Sequence, residues 1–356
     1  MEILERLFEK SKNLPLFAAR KLELEGEKMI LCGAPKVGKT SLAKSYLQNF
    51  ANPLYLNLKD PRIKSALPLI AANMERFCQH NDIEAIAIDN YTPSFPLPSV
   101  KSILLVSETR LEAPGYTNLS LRGLDFEEYW SFDKRHQNVR HLFNAFLKDG
   151  SLPEISLSED SLKSARKQEI LRLLCSDESE LALLHGLLAH MGQKITTNQL
   201  YMHLKKRLQL SKDRIYATIN DYHARGILHL VEKFEQKSAP KKLFFWDFTL
   251  ANVLSYERNF GALVENMLFL ELLKEDETLF YTDKVDFILP KRARGILIMP
   301  FCTPESLQAR LAKIHKEREF LDSFTIITLG FSQTGESLGM PYGAIPFWEF
   351  ALGQNY

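Results

Sequence analysis

The sequence has few cysteines, almost no net charge and no long hydrophobic run. Its 356 residues include four cysteines, Cys32, Cys78, Cys175 and Cys302, and none has the C-x-x-C spacing of a zinc or redox site. We therefore expect reduced thiols in a cytoplasmic protein rather than a disulfide framework. No apolar run is long enough to span a bilayer, and residues 1–6 lack the basic-then-apolar order of a signal peptide. We expect no membrane partner.

The rest of the composition is that of a folded globular protein. Hydrophobic residues make up 45% of the chain and charged residues 25%, which are ordinary proportions for such proteins. The length exceeds that of one ordinary domain, so two or three domains are expected. A formal net charge of +1 argues neither for nor against a nucleic-acid partner, because a local basic face can exist within a neutral chain.

The most specific motif lies in residues 29–47. An apolar strand over 29–32 leads into G-x-x-x-x-G-K-T over 33–40, and helical spacing begins at Ser41. Strand, loop and helix in this order are the context of a phosphate-binding P-loop. Gly33 and Gly38 allow backbone N–H groups to approach phosphates, Lys39 can reach the β- and γ-phosphates, and Thr40 can bind Mg²⁺. The alternative is a strand-to-helix turn without a nucleotide. The candidate nucleotide-binding residues are Gly33, Ala34, Pro35, Lys36, Val37, Gly38, Lys39, Thr40 and Ser41.

A second strand-end motif supplies candidate catalytic residues. The apolar strand 85–89 ends in Asp89, a Walker B pattern in which the carboxylate holds Mg²⁺ together with Thr40. Asn90 stands where many ATPases place a glutamate, and an amide can orient water but cannot take its proton. We therefore expect slow hydrolysis, or binding without turnover. Ser107, at the end of the strand 101–107, is either a sensor of the γ-phosphate or a plain turn serine.

Alternating strands and helices predict the architecture of the first region. The expected strands are 29–32, 53–58, 85–90 and 101–107, with helices between them. This alternation is typical of a parallel sheet covered on both faces. The fold class predicted here is therefore α/β, built on a P-loop NTPase parallel sheet.

The middle region predicts a winged helix. Helices are expected over 181–189, 197–208 and 211–222, followed by a hairpin of strands 226–231 and 243–246. Basic side chains surround the last helix and the hairpin, as a DNA-phosphate-contacting face would require. The alternative is a module that packs on the core or mediates assembly. The basic residues are Lys205, Lys206, Arg207, Lys212, Arg214, Lys237, Lys241 and Lys242.

The C-terminal region combines a helix over 259–273 with strands over 279–281, 284–289, 295–301 and 323–329, and a second helix over 307–320. Glu265 on the helix and Asp286 on a strand could form two arms of a metal site for phosphodiester cleavage. Such a site usually adds an acid and a lysine on the next strand. That strand offers Met299, Pro300 and Phe301 instead. We therefore expect a degenerate, inactive nuclease site in a sheet kept for packing or binding.

Taken in order, these motifs resemble a family of prokaryotic AAA-like, archaeal-type P-loop ATPases with a winged helix and a C-terminal restriction-endonuclease-like domain. The other segments that carry the resemblance are Phe126-Glu127-Glu128-Tyr129, Gly150-Ser151-Leu152-Pro153-Glu154, Gly261-Ala262-Leu263-Val264-Glu265-Asn266 and Val285-Asp286-Phe287. The resemblance implies an AAA-like core, ATP and Mg²⁺ as cofactors, and a link to DNA. It implies an ATPase domain over 1–155, a winged helix over 156–242 and the nuclease-like domain over 243–356.

The chain departs from this family at two places. Asn90 replaces the usual acidic residue, and Gly115-Tyr116 stands for the family's Gly-Arg pair, leaving Arg110 and Arg122 as substitutes. The leading hypothesis is an Mg²⁺-ATP-dependent switch that hydrolyses slowly and acts on double-stranded DNA. The alternative is a DNA-binding or scaffold protein in which ATP is structural. Whether ATP is hydrolysed, and whether the chain forms a homo-oligomer, are left open.

Overall fold

The computed structural model describes residues 2–133, 137–205, 208, 210–255, 258–275, 277–314, 317, 319–337 and 339–353. The chain divides into two compact units. Unit 1 comprises Met1–Gly123 and Ala224–Gly226, and unit 2 comprises Leu124–His223 and Ile227–Tyr356. These units do not coincide with the boundaries predicted at residues 155 and 242, and the three-domain division stays a prediction. Within the described ranges, no helix is long and apolar enough to cross a membrane.

Unit 1 is an α/β unit with a five-stranded parallel sheet. Its strands are β1 (Lys28–Cys32), β2 (Pro53–Asn57), β3 (Ala85–Asp89), β4 (Ser102–Val106) and β5 (Thr117–Ser120), and its helices are α1 (Glu2–Lys12), α2 (Lys39–Leu47) and α3 (Leu67–His80). A short 3₁₀ turn, Lys64–Ala66, precedes α3. The first four strands confirm the predicted ones. The fifth was not predicted, because its Thr-Asn-Leu-Ser sequence is polar and largely exposed.

The strand order of this sheet determines which strand ends lie next to one another. The order is β2-β3-β4-β1-β5, and all pairings are parallel. Strands β3 and β4 are buried along their whole length, as expected where helices cover both faces of a parallel sheet. The carboxyl ends of β1, β4 and β3 therefore lie side by side, with β4 in the middle. The P-loop follows β1, and Asp89 ends β3.

Unit 2 contains the remaining helices and one large sheet. Its helices are α4 (Phe126–Ser131), α5 (Val139–Asp149), α6 (Pro153–Ser156), α7 (Asp160–Leu174), α8 (Glu178–Leu188), α9 (Thr197–Lys205), α10 (Lys212–Ala224, whose last residue belongs to unit 1), α11 (Ala251–Leu254), α12 (Phe260–Leu272), α13 (Pro304–Leu311) and α14 (Phe347–Ala351). Short 3₁₀ turns cover Leu273–Glu275 and Pro290–Arg292.

The sheet of unit 2 has nine strands. They are β6 (Lys194–Ile195), β7 (Leu228–Lys233), β8 (Lys241–Phe245), β9 (Phe280–Tyr281), β10 (Phe287–Leu289), β11 (Arg294–Ile298), β12 (Ser323–Thr328), β13 (Gln333–Ser337) and β14 (Met340–Pro346). Their order is β13-β14-β12-β11-β10-β9-β7-β8-β6. The hairpin β7–β8 was predicted as a wing, and β7 also pairs in parallel with β9. The predicted wing and the C-terminal strands are thus one continuous sheet.

Several predicted elements of unit 2 differ in extent. The helix predicted over 307–320 ends at Leu311, and the strand predicted over 295–301 ends at Ile298. Strands β13 and β14 were not predicted, since β13 is a mostly exposed polar segment with no apolar alternation. Asp286 directly precedes β10 rather than lying within it.

An aromatic core holds the first helices of unit 2 to its C-terminal part. Phe126 of α4 lies 6.2 Å from Phe347 between ring centroids. Phe146 of α5 lies 5.0 Å from Phe248. The four rings are fully buried, and aromatic pairs at these distances add to the stabilisation from burial alone. Residues 126–154 therefore pack within unit 2 in this structure.

Candidate nucleotide-binding site

The loop after β1 has the backbone conformation that a P-loop needs. Gly33 has φ +151°, and a Cβ at this position would lie 2.1 Å from the Leu121 carbonyl oxygen, so only glycine fits. Gly38 is the N-cap of α2 with φ 100°, also in the left-handed region. Lys36 adopts φ 67°. Glycine at both ends thus allows the loop to turn tightly against its own helix.

The N-terminus of α2 is suited to an anion. No side chain caps it, and its first turn contains no acidic residue. The first N–H groups of a helix have no partner within the helix, and they carry the positive end of its dipole. Phosphate oxygens satisfy both features. The uncapped N-terminus of α2 therefore fits a nucleotide phosphate.

Lys39 is held over this loop. Its Nζ donates to the carbonyl oxygens of Gly33, at 2.7 Å, and Ala34, at 2.8 Å. Burial lowers its pKa to about 8, although the carboxylates of Glu108 and Asp89 act in the opposite direction. A desolvated ammonium is costly without a strong anionic partner. Lys39 is therefore placed to exchange the two carbonyl contacts for phosphate oxygens.

Asp89 is the centre of a buried hydrogen-bond cluster. Only 4% of the residue is exposed. Its Oδ2 accepts from Thr40 Oγ1, at 2.6 Å, and from Tyr55 Oη, at 2.7 Å, while its Oδ1 accepts from the Asn90 N–H, at 2.8 Å. Burial, and then the negative charge of Asp89, raise the pKa of Tyr55. Thr40 and Asp89 thus place two oxygen atoms side by side, and oxygen is the ligand atom that Mg²⁺ prefers.

The two other candidate catalytic residues occupy different sides of this strand end. Asn90 has φ 55°, and its Nδ2 donates to Asn57 Oδ1 at 2.9 Å, towards the end of β2. Ser107 follows β4, and its Oγ accepts from the Thr109 N–H at 3.2 Å, as a turn serine does. A role of Ser107 as a γ-phosphate sensor stays a prediction.

The rest of the loop is fixed by packing and by an arginine that the sequence did not suggest. Val37 is 1% exposed, while Pro35 and Ser41 are half-buried. Arg20 Nη1 donates to the Val37 carbonyl oxygen at 2.6 Å, and its Nη2 donates to the Arg122 carbonyl oxygen at 2.9 Å. Arg20 therefore ties the P-loop to the segment that follows β5.

Unit 1 also contains an ion pair that the sequence did not predict. Arg225 Nε donates to Glu108 Oε2 at 2.6 Å, across 117 residues of sequence. The side chains are 18% and 30% exposed, respectively. Gly226, the next residue, is near the P-loop, since a Cβ there would lie 3.8 Å from the Ala34 nitrogen. No local pattern links these residues, so only the tertiary structure could reveal the pair.

In unit 2 the structure brings the two candidate nuclease acids to one lysine. Lys242 of β8 donates to Glu265 Oε1 at 2.5 Å, and its Nζ is 3.9 Å from Asp286 Oδ1. Asp286 Oδ2 accepts from the Ile298 N–H at 2.9 Å and lies 3.5 Å from an Arg310 nitrogen. Burial raises the pKa of Glu265, and Lys242 opposes that rise. A protein cation thus lies where the two carboxylates converge, and the inactive nuclease site stays a prediction.

Lys242 corrects one expectation. It was predicted to contact DNA from the wing, but the residue is 4% exposed, so that assignment is wrong. The ammonium beside the two acids comes from β8, not from the strand that was examined for one, which offers Met299, Pro300 and Phe301. In the part of the chain that the structure describes, no group of three or more His, Cys, Asp or Glu side chains is arranged to hold a metal ion.

The predicted basic face is reduced by internal ion pairs. Arg214 pairs with Asp177 at 2.6 Å, and Lys241 pairs with Glu232 at 2.6 Å. Lys206 and Arg207 lie outside the described residues. The exposed lysines of the predicted face that the structure describes are Lys205, Lys212 and Lys237.

Comparisons with known proteins give distant matches. No family model matches the sequence. Over 271 residues the chain is 22% identical to an uncharacterized protein of Methanocaldococcus jannaschii, and the match covers 66% of this chain and 60% of that relative's length. The solved structure of the Aeropyrum pernix Orc1 protein in complex with DNA is similar with a TM-score of 0.32 and 14% sequence identity, over 72% of this chain and 91% of the other. A TM-score this low carries no argument about fold or function.

Proposed function

We propose that this protein binds Mg²⁺-ATP in an AAA-like P-loop site and acts as a nucleotide-dependent switch that hydrolyses ATP slowly. The observation that carries the proposal is the convergence of Lys39, Thr40 and Asp89 at one edge of the parallel sheet, beside the uncapped start of α2. Together they meet three requirements of a Mg²⁺-nucleotide site: a helix N-terminus that binds an anion, a positive charge for the phosphates, and oxygen ligands for Mg²⁺.

Each residue has a role in this proposal. Lys39 would contact the β- and γ-phosphates, and the N–H groups of the loop would surround them. Thr40 and Asp89 would hold Mg²⁺, which neutralises phosphate charge when bound. The amide of Asn90 is not basic enough to take a proton from water, and its Nδ2 donates to Asn57, which supports slow turnover. The preference for adenine follows from the family resemblance, since the sequence has no N-K-x-D motif to read guanine.

The test is equilibrium binding of a fluorescent ATP analogue, with Mg²⁺, to the full chain. Lys39→Ala removes a charged partner of the phosphates, and hydrogen bonds to charged groups contribute about 1.5–3 kcal/mol each. We expect affinity to fall roughly 100-fold. Lys28→Ala is the matched control, because Lys28 is an exposed lysine at the opposite, amino end of β1. Unchanged affinity in Lys39→Ala, with the fold intact by circular dichroism, would contradict the proposal.

The coarser architecture and the DNA link belong to the same proposal. Helices α8, α9 and α10 followed by the hairpin β7–β8 support a winged helix, and the C-terminal sheet supports a restriction-endonuclease-like unit without cleavage activity. Double-stranded DNA is the second candidate partner, supported by the exposed Lys205, Lys212 and Lys237. Each phosphate contact made by one of these three lysines should steepen the fall of log affinity with log salt concentration by about 0.9. Binding without any salt dependence would argue against a phosphate-contacting face.

A further inference from the structure

Asn90 leaves the proposed ATP site without an acidic group directly after β3, and its Nδ2 donates to Asn57 Oδ1 at 2.9 Å and to Asp89 Oδ1 at 3.4 Å. The sheet order places β2 on one side of β3 and β4 on the other, with β1 beyond β4. Asn90 hydrogen-bonds Asn57 on the β2 side. The carboxyl end of β4 lies between Asp89 and the P-loop, so a carboxylate there would be on the side of the site where the attacking water is expected.

Glu108 is on that side. It is the second residue after β4, whose carboxyl end lies between those of β1 and β3. Its side chain is 30% exposed, so water can reach it. Of the carboxylates that act on Lys39, Glu108 opposes the lowering of the Lys39 pKa most strongly, ahead of Asp89. Its negative charge therefore acts on the ammonium that would contact the γ-phosphate.

Arg225 fixes the direction of this carboxylate. The guanidinium donates through Nε to Glu108 Oε2 at 2.6 Å, and the adjacent Gly226 lies near the P-loop nitrogen of Ala34. A charge-assisted bond of this length restrains the orientation of the side chain. One carboxylate oxygen is thereby held by Arg225, and the other is not part of that bond.

We propose that Glu108 is the catalytic residue that orients the attacking water and accepts its proton, and that Arg225 is its positioning residue. The inference rests on the proposed function. The water oxygen forms a bond to the γ-phosphorus, and the bond from that phosphorus to the β,γ-bridging oxygen breaks. ADP leaves with the bond electrons, and the proton passes from water to the Glu108 carboxylate and then to solvent. No oxidant, reductant or further reactant is needed.

The experiment measures steady-state phosphate release and ATP affinity on the full chain with Mg²⁺. The Lys39→Ala variant, which is expected to bind ATP poorly, gives the background rate of phosphate release. Glu108→Gln keeps the size of the side chain but removes the base. We expect kcat to fall about 100-fold or more, ATP affinity to stay within about threefold, and the variant to retain unhydrolysed ATP where the natural protein retains ADP. Glu112→Gln, in an exposed acid nearby, is the matched control and should have no effect.

Arg225→Gln tests the positioning role. We expect kcat to fall with KM unchanged, and the double variant with Glu108→Gln to fall no further than Glu108→Gln alone, because residues that act as a unit are not additive. If Glu108→Gln does not fold, Glu108→Asp replaces it. That variant retains an acid one methylene further back, and full activity in it would overturn the proposal.

The outcomes separate this inference from the proposed function. Turnover that survives in Glu108→Gln overturns the assignment of Glu108. If the natural protein binds ATP tightly but releases phosphate no faster than Lys39→Ala, the catalytic role of Glu108 is also overturned, whereas the proposed nucleotide site is not. Failure of the natural protein to bind ATP refutes the proposed function itself, and the role of Glu108 falls with it.

Discussion

Removing the Lys242 ammonium should destabilise unit 2 strongly. The side chain of Lys242 is 5% exposed, and that of its partner Glu265 is 16% exposed. In Lys242→Met the Glu265 carboxylate stays buried without its cation, while the methionine fills a similar volume. Breaking a buried ion pair from one side costs about 3–5 kcal/mol. We expect a loss of that size in the free energy of unfolding at pH 8.

The neighbouring residue on the same strand supplies a matched control. Lys241 pairs with Glu232, but both side chains are about one third exposed, at 35% and 33%. Exposed pairs contribute about 0–1 kcal/mol because water screens them. Lys241→Met should therefore cost several times less than Lys242→Met. The double variant Lys242→Met/Glu265→Gln removes both charges and should recover a large part of the loss.

Tryptophan fluorescence during urea unfolding is a suitable assay, because it reports on one unit. The chain has three tryptophans, Trp130, Trp246 and Trp348, and all three lie in unit 2. Unfolding of unit 1 therefore changes this signal little. A shift of the midpoint at constant slope measures the loss of stability.

The pH dependence adds a second check on the same variant. Burial raises the pKa of Glu265 above its usual value, and loss of the opposing lysine raises it further. For an acid with a raised pKa in the folded state, the penalty is full above that pKa and disappears as pH falls towards the unfolded value, about 4.3. The deficit of Lys242→Met should shrink between pH 8 and pH 5. An equal deficit at both pH values, or a loss no larger than in Lys241→Met, would refute the reasoning.

Two further predictions concern unit 1. Tyr55→Phe removes a donor to the buried Asp89 carboxylate, so β3 should be less stable by about 1.5–3 kcal/mol; unchanged hydrogen exchange of the β3 amides would count against this. Gly33→Ala should abolish ATP binding, because its Cβ would lie 2.1 Å from the Leu121 carbonyl oxygen. Gly115→Ala is the control, since Gly115 shares a positive φ but has nothing within 4 Å of the Cβ position; equal affinities in the two variants would contradict the steric argument.

Local patterns predicted the elements that local physics controls. The four apolar strands of unit 1, the helix after Gly38 and the hairpin β7–β8 were expected from the sequence and are present. Each has an apolar run or a glycine turn that determines its backbone. Strands β5 and β13 lack such a run, since they are polar and mostly exposed. Their pairing with a neighbouring strand, rather than their own composition, makes them strands.

The sequence by itself determined the P-loop, because adjacent residues supply its glycines, its lysine and its helix N-terminus. It also placed Asp89 at a strand end. Only the tertiary structure decided which distant groups meet: Tyr55 at Asp89, Arg225 at Glu108, and Lys242 between the two acids of unit 2. Such pairs join side chains 23 to 117 residues apart. Hydrophobic periodicity reports which face of an element is buried and carries no information on the charge that the opposing element presents there.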